Sequence, residues 1–459
     1  MPQSIAFHGA AQTVTGSRHL LNLNGKNVLV DCGMFQGGRE LRQRNWELFP
    51  IPPHEIDAIV ITHAHMDHIG YLPKLSALGY QGPIYATRAT IKLSRISLPD
   101  SARIQEEDAR TANKVGSRHQ PALPLYTEDD AYAVLKLFKP LHYHQTQALP
   151  GGAQFRFLPA GHILGSAFAE IYFDNGERIL MGGDLGRYNT PIIKDPEQVD
   201  FAEYLVVEST YGDRLHKIED PKEKLASIFA DAWQGGNRIL VPSFSIGRTQ
   251  ELLYYISRLQ AENKMPRIPV FIDSPMATSA TEAYRSETEE HDRDMKLSLD
   301  QGISDLDPEG VFYIRDRKQS QELNFRQGPF MVIAGSGMAN GGRIVHHLLH
   351  HISDESTIVL FTGYQAEGTL GRRILEGQEV VRILKREVPV RARIEKLNAL
   401  SAHADQGEIL TWLKGFKAPP RKTFIVHGEP HAQEALQTKI HEELGWDVVI
   451  PRWHEQFDL

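Results

Sequence analysis

Thr62-His63-Ala64-His65-Met66-Asp67-His68 sets three imidazoles and a carboxylate within six residues, directly after the apolar run Ala58-Ile59-Val60-Ile61. The run reads as a buried strand that stops at a loop. Imidazole nitrogen and carboxylate oxygen are zinc ligands. Alternate residues of an extended segment project to opposite sides, so one strand end can serve two neighbouring ions. A lone His-x-His pair is commonplace on protein surfaces, whereas the complete His-x-His-x-Asp-His pattern predicts a metal site.

Moving outward, polar groups recur wherever a predicted strand stops. Strands are expected at Ser4-Phe7, Arg18-Leu23 and Asn27-Val30, with a hairpin turn at Asn24-Gly25. The third of these runs into Asp31-Cys32-Gly33. Later strand ends carry His162 (within Ala160-Gly161-His162-Ile163-Leu164-Gly165-Ser166), Asp184 (Gly182-Gly183-Asp184-Leu185-Gly186), Glu208, His403 and His427. This is the pattern of a site assembled on loops at one rim of a sheet. A two-zinc hydrolytic centre needs about four protein ligands per ion and a carboxylate able to bridge ions about 3.5–4 Å apart. His63, His65, Asp67, His68, His162, Asp184 and His427 supply that set. Glycines beside His162 and Asp184 let the backbone approach a crowded centre.

Composition narrows the class. At 459 residues the chain exceeds what one core usually supports, and 41% hydrophobic residues is ordinary for a globular protein. The N-terminus lacks a basic stretch followed by an apolar one, and no apolar run approaches the roughly 20 residues that span a bilayer, so no membrane association and a cytoplasmic location are expected. The single cysteine, Cys32, excludes an intrachain disulfide and a cysteine-based zinc cluster. A net charge of -8 argues against indiscriminate polyanion binding, although 382–396 is locally basic and 282–309 strongly acidic.

Helices are expected at Leu72-Leu78 and Thr87-Ser97, and 101–130, centred on Gly116-Ser117-Arg118-His119-Gln120-Pro121, reads as an irregular polar excursion. From Pro221 helices and strands alternate, which implies a parallel sheet covered by helices. The reading divides the chain into 1–208, an inserted α/β domain at 209–375, and a return to the first domain at 376–459, the last including a strand at Val390-Leu397. Gly335-x-Gly337 imitates half of a dinucleotide fingerprint, but Asn340 stands where the third glycine belongs, so no nucleotide cofactor is expected. The histidines of His346-His347-Leu348-Leu349-His350-His351 read as a solvated helix face.

In this order, Asp31, His63-x-His65-x-Asp67-His68, His162, Asp184, Glu208, the His403 of Leu400-Ser401-Ala402-His403-Ala404-Asp405 and the His427 of Val426-His427-Gly428-Glu429 resemble the seven motifs of the β-CASP group of metallo-β-lactamase-fold nucleases. Pro242-Ser243-Phe244-Ser245-Ile246-Gly247-Arg248, Gly335-Ser336-Gly337-Met338 and Gly363-Tyr364-Gln365-Ala366-Glu367-Gly368-Thr369-Leu370-Gly371 resemble further signatures of its RNA-cleaving branch, which includes the pre-mRNA 3′-end endonuclease and bacterial and archaeal relatives. The resemblance implies an α/β fold: a metallo-β-lactamase αββα sandwich with an inserted β-CASP domain closing over it.

It also implies a division of labour. His63, His65 and His162 would hold one zinc, Asp67, His68 and His427 the other, with Asp184 bridging and Asp31 orienting ligands from behind. Manganese or iron would suit the same donors. A metal-bound hydroxide would attack phosphorus in line, and His403, beside Glu208, would protonate the departing sugar oxygen. The expected activity is hydrolysis of single-stranded RNA leaving a 5′-phosphate and a 3′-hydroxyl, with internal cutting favoured and 5′-to-3′ exonucleolytic cutting left open by the sequence. Arg248, Ser336, Gly337, Met338 and Thr369 would contact RNA phosphates. Two other functions fit the same metal motif: hydrolysis of a small ester or thioester, and a noncatalytic RNA-processing subunit. A homodimer is compatible with the sequence without any pattern that demands one.

Overall fold

A computed structural model describes residues 3–116, 121–217, 219–397 and 400–459. By its internal contacts the chain divides into two units, one made of 1–189, 194–215 and 403–459, the other of 190–193 and 216–402.

The first unit holds two seven-stranded sheets. One runs in the order Gln456–Asp458, Ser4–Phe7, His19–Leu23, Lys26–Val30, Ile56–Val60, Ile84–Thr87, Phe138–Leu141; the other runs Val448–Val449, Lys422–Val426, Tyr204–Glu208, Arg178–Met181, Ala167–Tyr172, Gln154–Pro159, Gln147–Ala148. Their facing sides share one core, in which Phe7, Val28 and Val60 meet Phe155, Phe157, Met181, Val206 and Phe424. Truncating one such ring to alanine is expected to cost about 3–5 kcal/mol. Ile56–Val60 pairs parallel with both neighbours, and Ile59, on its other side, is as buried as Val60. That is why the strand reads as a continuous apolar run rather than an alternating one. On the outer side of the second sheet, Trp412, Leu413, Leu436 and Ile440 of helices Gln406–Leu413 and Pro430–Leu444 pack on Phe168, Leu180, Leu205 and Ile425.

The second unit is built on a six-stranded sheet ordered Val311–Tyr313, Val270–Ile272, Phe330–Ala334, Arg238–Pro242, Thr357–Phe361, Arg393–Lys396, with every pairing parallel. The expected α/β alternation is therefore present. Its limits differ from the expected 209–375, because Arg393–Lys396, assigned in the sequence to the returning first domain, pairs with Thr357–Phe361. A hairpin of Val380–Ile383 and Arg386–Pro389 precedes it.

The polar stretch expected to be irregular from 101 is instead helical to Val115, continuing the helix Arg88–Val115. Ion pairs Arg103–Asp100, Arg103–Glu107 and Arg110–Glu106, spaced three or four residues apart, support a solvated helix that has little apolar periodicity to reveal it. Ser117-Arg118-His119-Gln120, the centre of that expected excursion, lies outside the described residues.

Candidate metal centre

The seven candidate ligands converge in the first unit. Strand Ile56–Val60 delivers His63 and His65, and the short helix Met66–Ile69 that follows carries Asp67 and His68. Nδ1 of His65 lies 3.1 Å from Nε2 of both His63 and His162, and Asp184 Oδ2 lies 3.4 Å from each of those Nε2 atoms. On the other side, Nε2 of His427 stands 3.4 Å from Nε2 of His68 and 3.4 Å from Asp67 Oδ2. Asp184 Oδ1 faces this group, 3.3 Å from His68 Nε2 and 3.7 Å from His427 Nε2. The two oxygens of Asp184 thus address different clusters.

These distances fit metal ions. With zinc–ligand bonds of about 2.0–2.1 Å, neighbouring corners of a tetrahedron stand about 3.3 Å apart. Asp184 Oδ1 is buried and, among the described residues, has no hydrogen-bond partner. Such an orphan is costly unless a cation satisfies it. Burial lowers the pKa of His63, of His162 and of His65, the last to about 3, so all three are neutral and ready to donate a lone pair. Burial would do the same to His68 and His427, but Asp184, with Asp31 beside His68 and Asp67 beside His427, outweighs it and raises both. This side of the centre therefore draws positive charge, which protons or a dication can supply.

Residues behind the ligands fix them. Asp31, buried at the end of strand Lys26–Val30 with a left-handed φ of 61°, accepts the Nδ1–H of His68 (2.8 Å) and both the amide N–H and hydroxyl of Thr62 (2.8 Å each). Gly33 is required here because a Cβ would sit 1.6 Å from the carbonyl oxygen of Asp67. His427 has a φ of 51° and its Nδ1 lies 3.0 Å from the Thr210 hydroxyl. Ser17 Oγ is 3.4 Å from His68 Nε2. Thr62, Thr210 and Ser17 were not singled out from sequence. The first two directly adjoin strand-end motifs, a placement that could have flagged them.

Nδ1 of His403 is 2.9 Å and 3.2 Å from the two oxygens of Glu208, and its ring centroid lies 4.5 Å from that of His162. Glu208, fully buried at the end of strand Tyr204–Glu208, also accepts the N–H groups of Leu185 (2.8 Å) and Thr210 (3.2 Å). Burial alone would lower the pKa of His403, but the Glu208 carboxylate raises it to about 9.

Three family models match along the chain: a metallo-beta-lactamase superfamily domain over residues 20–185, a Beta-Casp domain over 249–374, and a Zn-dependent metallo-hydrolase RNA specificity domain over 387–451. Ribonuclease TTHA0252 of Thermus thermophilus is 38% identical over 448 residues, covering 97% of this chain and 98% of that one. The chain belongs to the β-CASP family of metallo-β-lactamase-fold ribonucleases. Other relatives include an RNase J-like protein of Methanocaldococcus jannaschii, 27% identical over 97% of both chains, and the transcription termination factor FttA of the same organism, 28% identical over 93% of this chain and 67% of its own. A solved Enterococcus faecalis protein of unknown function shares the fold, with a TM-score of 0.54 at 14% identity over the whole of both chains.

The candidate RNA contacts of the β-CASP unit are placed less openly than the ligands. Arg248 begins helix Arg248–Ala261 but is buried and ion-paired with Glu251. The Ser336 N–H donates to the Gly341 carbonyl (3.1 Å), Gly337 is packed against Phe244, and the Met338 carbonyl accepts from the Gly371 N–H (3.1 Å). Thr369 caps helix Leu370–Leu375, its hydroxyl accepting from the Arg372 N–H. The histidines at 346–351 do not form a solvated face: His347 and His351 are buried, while His346 and His350 are exposed. Asp273 draws His347 inward, accepting its Nε2–H at 2.7 Å. Among the described residues, no helix is long and apolar enough to cross a membrane.

Proposed function

We propose that this metal-dependent ribonuclease cuts single-stranded RNA internally, at a centre of two ions, leaving a 5′-phosphate and a 3′-hydroxyl. His63, His65 and His162 would hold one ion, Asp67, His68 and His427 the other, with Asp184 shared. The nitrogen-rich donor set favours zinc, and manganese or iron would fit the same ligands. Bound there, the pair would supply Lewis acidity and a lowered water pKa. The chain's own residues do the rest. Asp31 and Thr210 hold the imidazoles of His68 and His427 in ligating orientation. Glu208 accepts the Nδ1–H of His403 and favours the imidazolium, so that the proton on Nε2 can pass to the departing sugar oxygen.

In the second unit Ser336, Gly337, Met338 and Thr369 are proposed as backbone-phosphate contacts. Arg248 would join them only by exchanging Glu251 for a phosphate. Contacts of this kind imply weak sequence preference.

The observation that carries the reading is the placement of the two Asp184 oxygens, one toward each ligand cluster, with His403 beside them. An end-labelled single-stranded RNA, incubated with and without chelator and re-added zinc, tests it. Internal fragments that vanish with chelator and return with zinc are expected. Release of mononucleotides would replace the endonuclease with an exonuclease, and cleavage indifferent to chelator would overturn the metal assignment.

A further inference from the structure

Segment 37–48 contributes nothing to the ligand set, yet it is tied to the ligand turn by a short chain of buried bonds. The N–H groups of Cys32 and Met34 donate to the carbonyls of His68 (2.7 Å) and Met66 (3.0 Å). Arg18, buried, donates from Nε to the Gly33 carbonyl (2.8 Å) and from NH2 to the Asn45 side chain (3.2 Å), with its guanidinium 3.9 Å from the Tyr71 ring. The Asn45 amide in turn clamps Phe35, accepting its N–H at 2.9 Å and donating to its carbonyl at 2.8 Å. The next residue, Trp46, is therefore held on a rigid support.

What that support presents is an aromatic ring among cations. Trp46 is 55% exposed, and Lys74 Nζ stands 5.9 Å from its ring. Arg39 and Arg42 are exposed, and among the described residues neither guanidinium has a hydrogen bond or ion pair. Arg44 lies over the Trp453 ring at 4.1 Å. Arg44 is also paired with Glu40 at 3.7 Å, so the cations left to a ligand near Trp46 are Arg39, Arg42 and Lys74, in a chain whose net charge is -8. A single exposed apolar side chain is unremarkable. A firmly supported tryptophan, with two unpaired arginines four and seven residues before it on the short helix Arg39–Arg44, matches the chemistry of a single nucleic-acid strand: bases stack on the ring and phosphates meet the guanidinium forks.

We propose that segment 37–48 is an RNA-binding subsite, in which Trp46 stacks a base and Arg39 and Arg42 hold the flanking phosphates of the strand engaged at the metal centre. The proposal rests on the ribonuclease reading and adds to it a contact outside both the ligand set and the β-CASP unit. Preorganisation by Asn45 and Arg18 means that little ordering cost is paid on binding.

The test is fluorescence anisotropy of a labelled, unstructured RNA oligonucleotide titrated with the full chain carrying Asp184→Asn, so that binding is read without cleavage. On that background Trp46→Ala is expected to weaken binding about tenfold, and Trp46→Phe, which keeps a ring, by no more than about threefold. Replacing Arg39 and Arg42 by serine is expected to flatten the slope of log K against log salt by about 1.4, or about 0.7 for each phosphate left without its arginine. A triple variant, Trp46→Ala with both arginine replacements, that binds within twofold of its parent with an unchanged salt slope would overturn the subsite while leaving the ribonuclease reading intact. Conversely, tryptophan-dependent binding together with a native chain that does not cleave RNA would uphold the subsite and sink the catalytic reading. A parent that does not bind RNA at all overturns the subsite, and the ribonuclease reading then stands or falls on cleavage by the native chain.

Discussion

Each unit contains a buried cluster of histidine and aspartate, and the two clusters are put together in opposite ways. In the second unit Asp273, fully buried, accepts from Ser320 (2.6 Å), from His347 Nε2 (2.7 Å) and from Arg343 (2.7 Å), while His347 Nδ1 lies 2.8 Å from the Asn324 side-chain oxygen. Donors meet acceptors and the network closes on itself. In the first unit imidazole nitrogens crowd together instead: His65 Nδ1 lies 3.1 Å from Nε2 of both His63 and His162, and one oxygen of Asp184 is left without a hydrogen bond among the described residues. The same residue types therefore serve two purposes. A cluster complete in itself holds a fold, whereas one made of unanswered acceptors is built for a guest of positive charge.

The contrast breaks most easily at Asp184. Chelation, or Asp184→Asn, is expected to reduce RNA cleavage at least about a thousandfold. Chelation should also lower the thermal midpoint, which re-added zinc restores, because an ion bound only to the folded state stabilises it. Metal analysis by mass spectrometry should find two ions in the native chain and fewer in the variant. His403→Ala comes next, with kcat down by about 10²–10⁴-fold and both ions retained; loss of an ion would show that His403 is a ligand instead.

Asp273→Ala should do the reverse, leaving metal content unchanged while costing about 3–5 kcal/mol in denaturant unfolding, since Arg343 and His347 lose their shared acceptor. A variant of unchanged stability would erase the distinction between the clusters. Acid should sharpen it further. His351 of the second unit is held neutral by burial and by the neighbouring Arg238, its pKa lowered to about 4 against an ordinary value of 6.5. The unfolded chain then binds the extra proton first, so the His351 contribution is whole above pH 6.5 and declines as pH falls from there to about 4. His351→Phe should flatten that slope in unfolding measured across the window. The smallest effect is expected at Arg393–Asp231, an ion pair at 2.9 Å with both side chains more than 40% exposed, where Arg393→Ala should cost less than about 1 kcal/mol.

The candidate ligands were legible because each lies in the segment that follows a strand, and a strand's end is marked by apolar residues giving way to histidine, aspartate and glycine. The packing of two sheets that brings His427 to Asp67 is not local, yet the order of motifs along the chain stood in for it. Where the sequence reading strayed, the deciding partner was remote or polar. Arg393–Lys396 has the apolar content of an edge strand of either unit, and only its pairing with Thr357–Phe361 assigns it. Helix Arg88–Val115 continues past residue 101 on charge pairs rather than on an apolar stripe. Arg248 stands where a phosphate contact is expected, but Glu251, three residues on, already occupies it. Thr62 and Thr210 do their work through hydroxyls, which leave no periodic trace.

Strand Gln456–Asp458 pairs with strand Ser4–Phe7, and His427 reaches Asp67 across 360 residues of chain. Protein synthesis runs in one direction, at roughly 5–20 residues per second. The first candidate ligands therefore leave the ribosome on the order of tens of seconds before His427 exists. Until then the nascent chain has neither His403 nor His427, and it cannot assemble the proposed centre. A nuclease made on a messenger of its own substrate class lacks, by this arrangement, part of its candidate centre until the codons for His403 and His427 have been read.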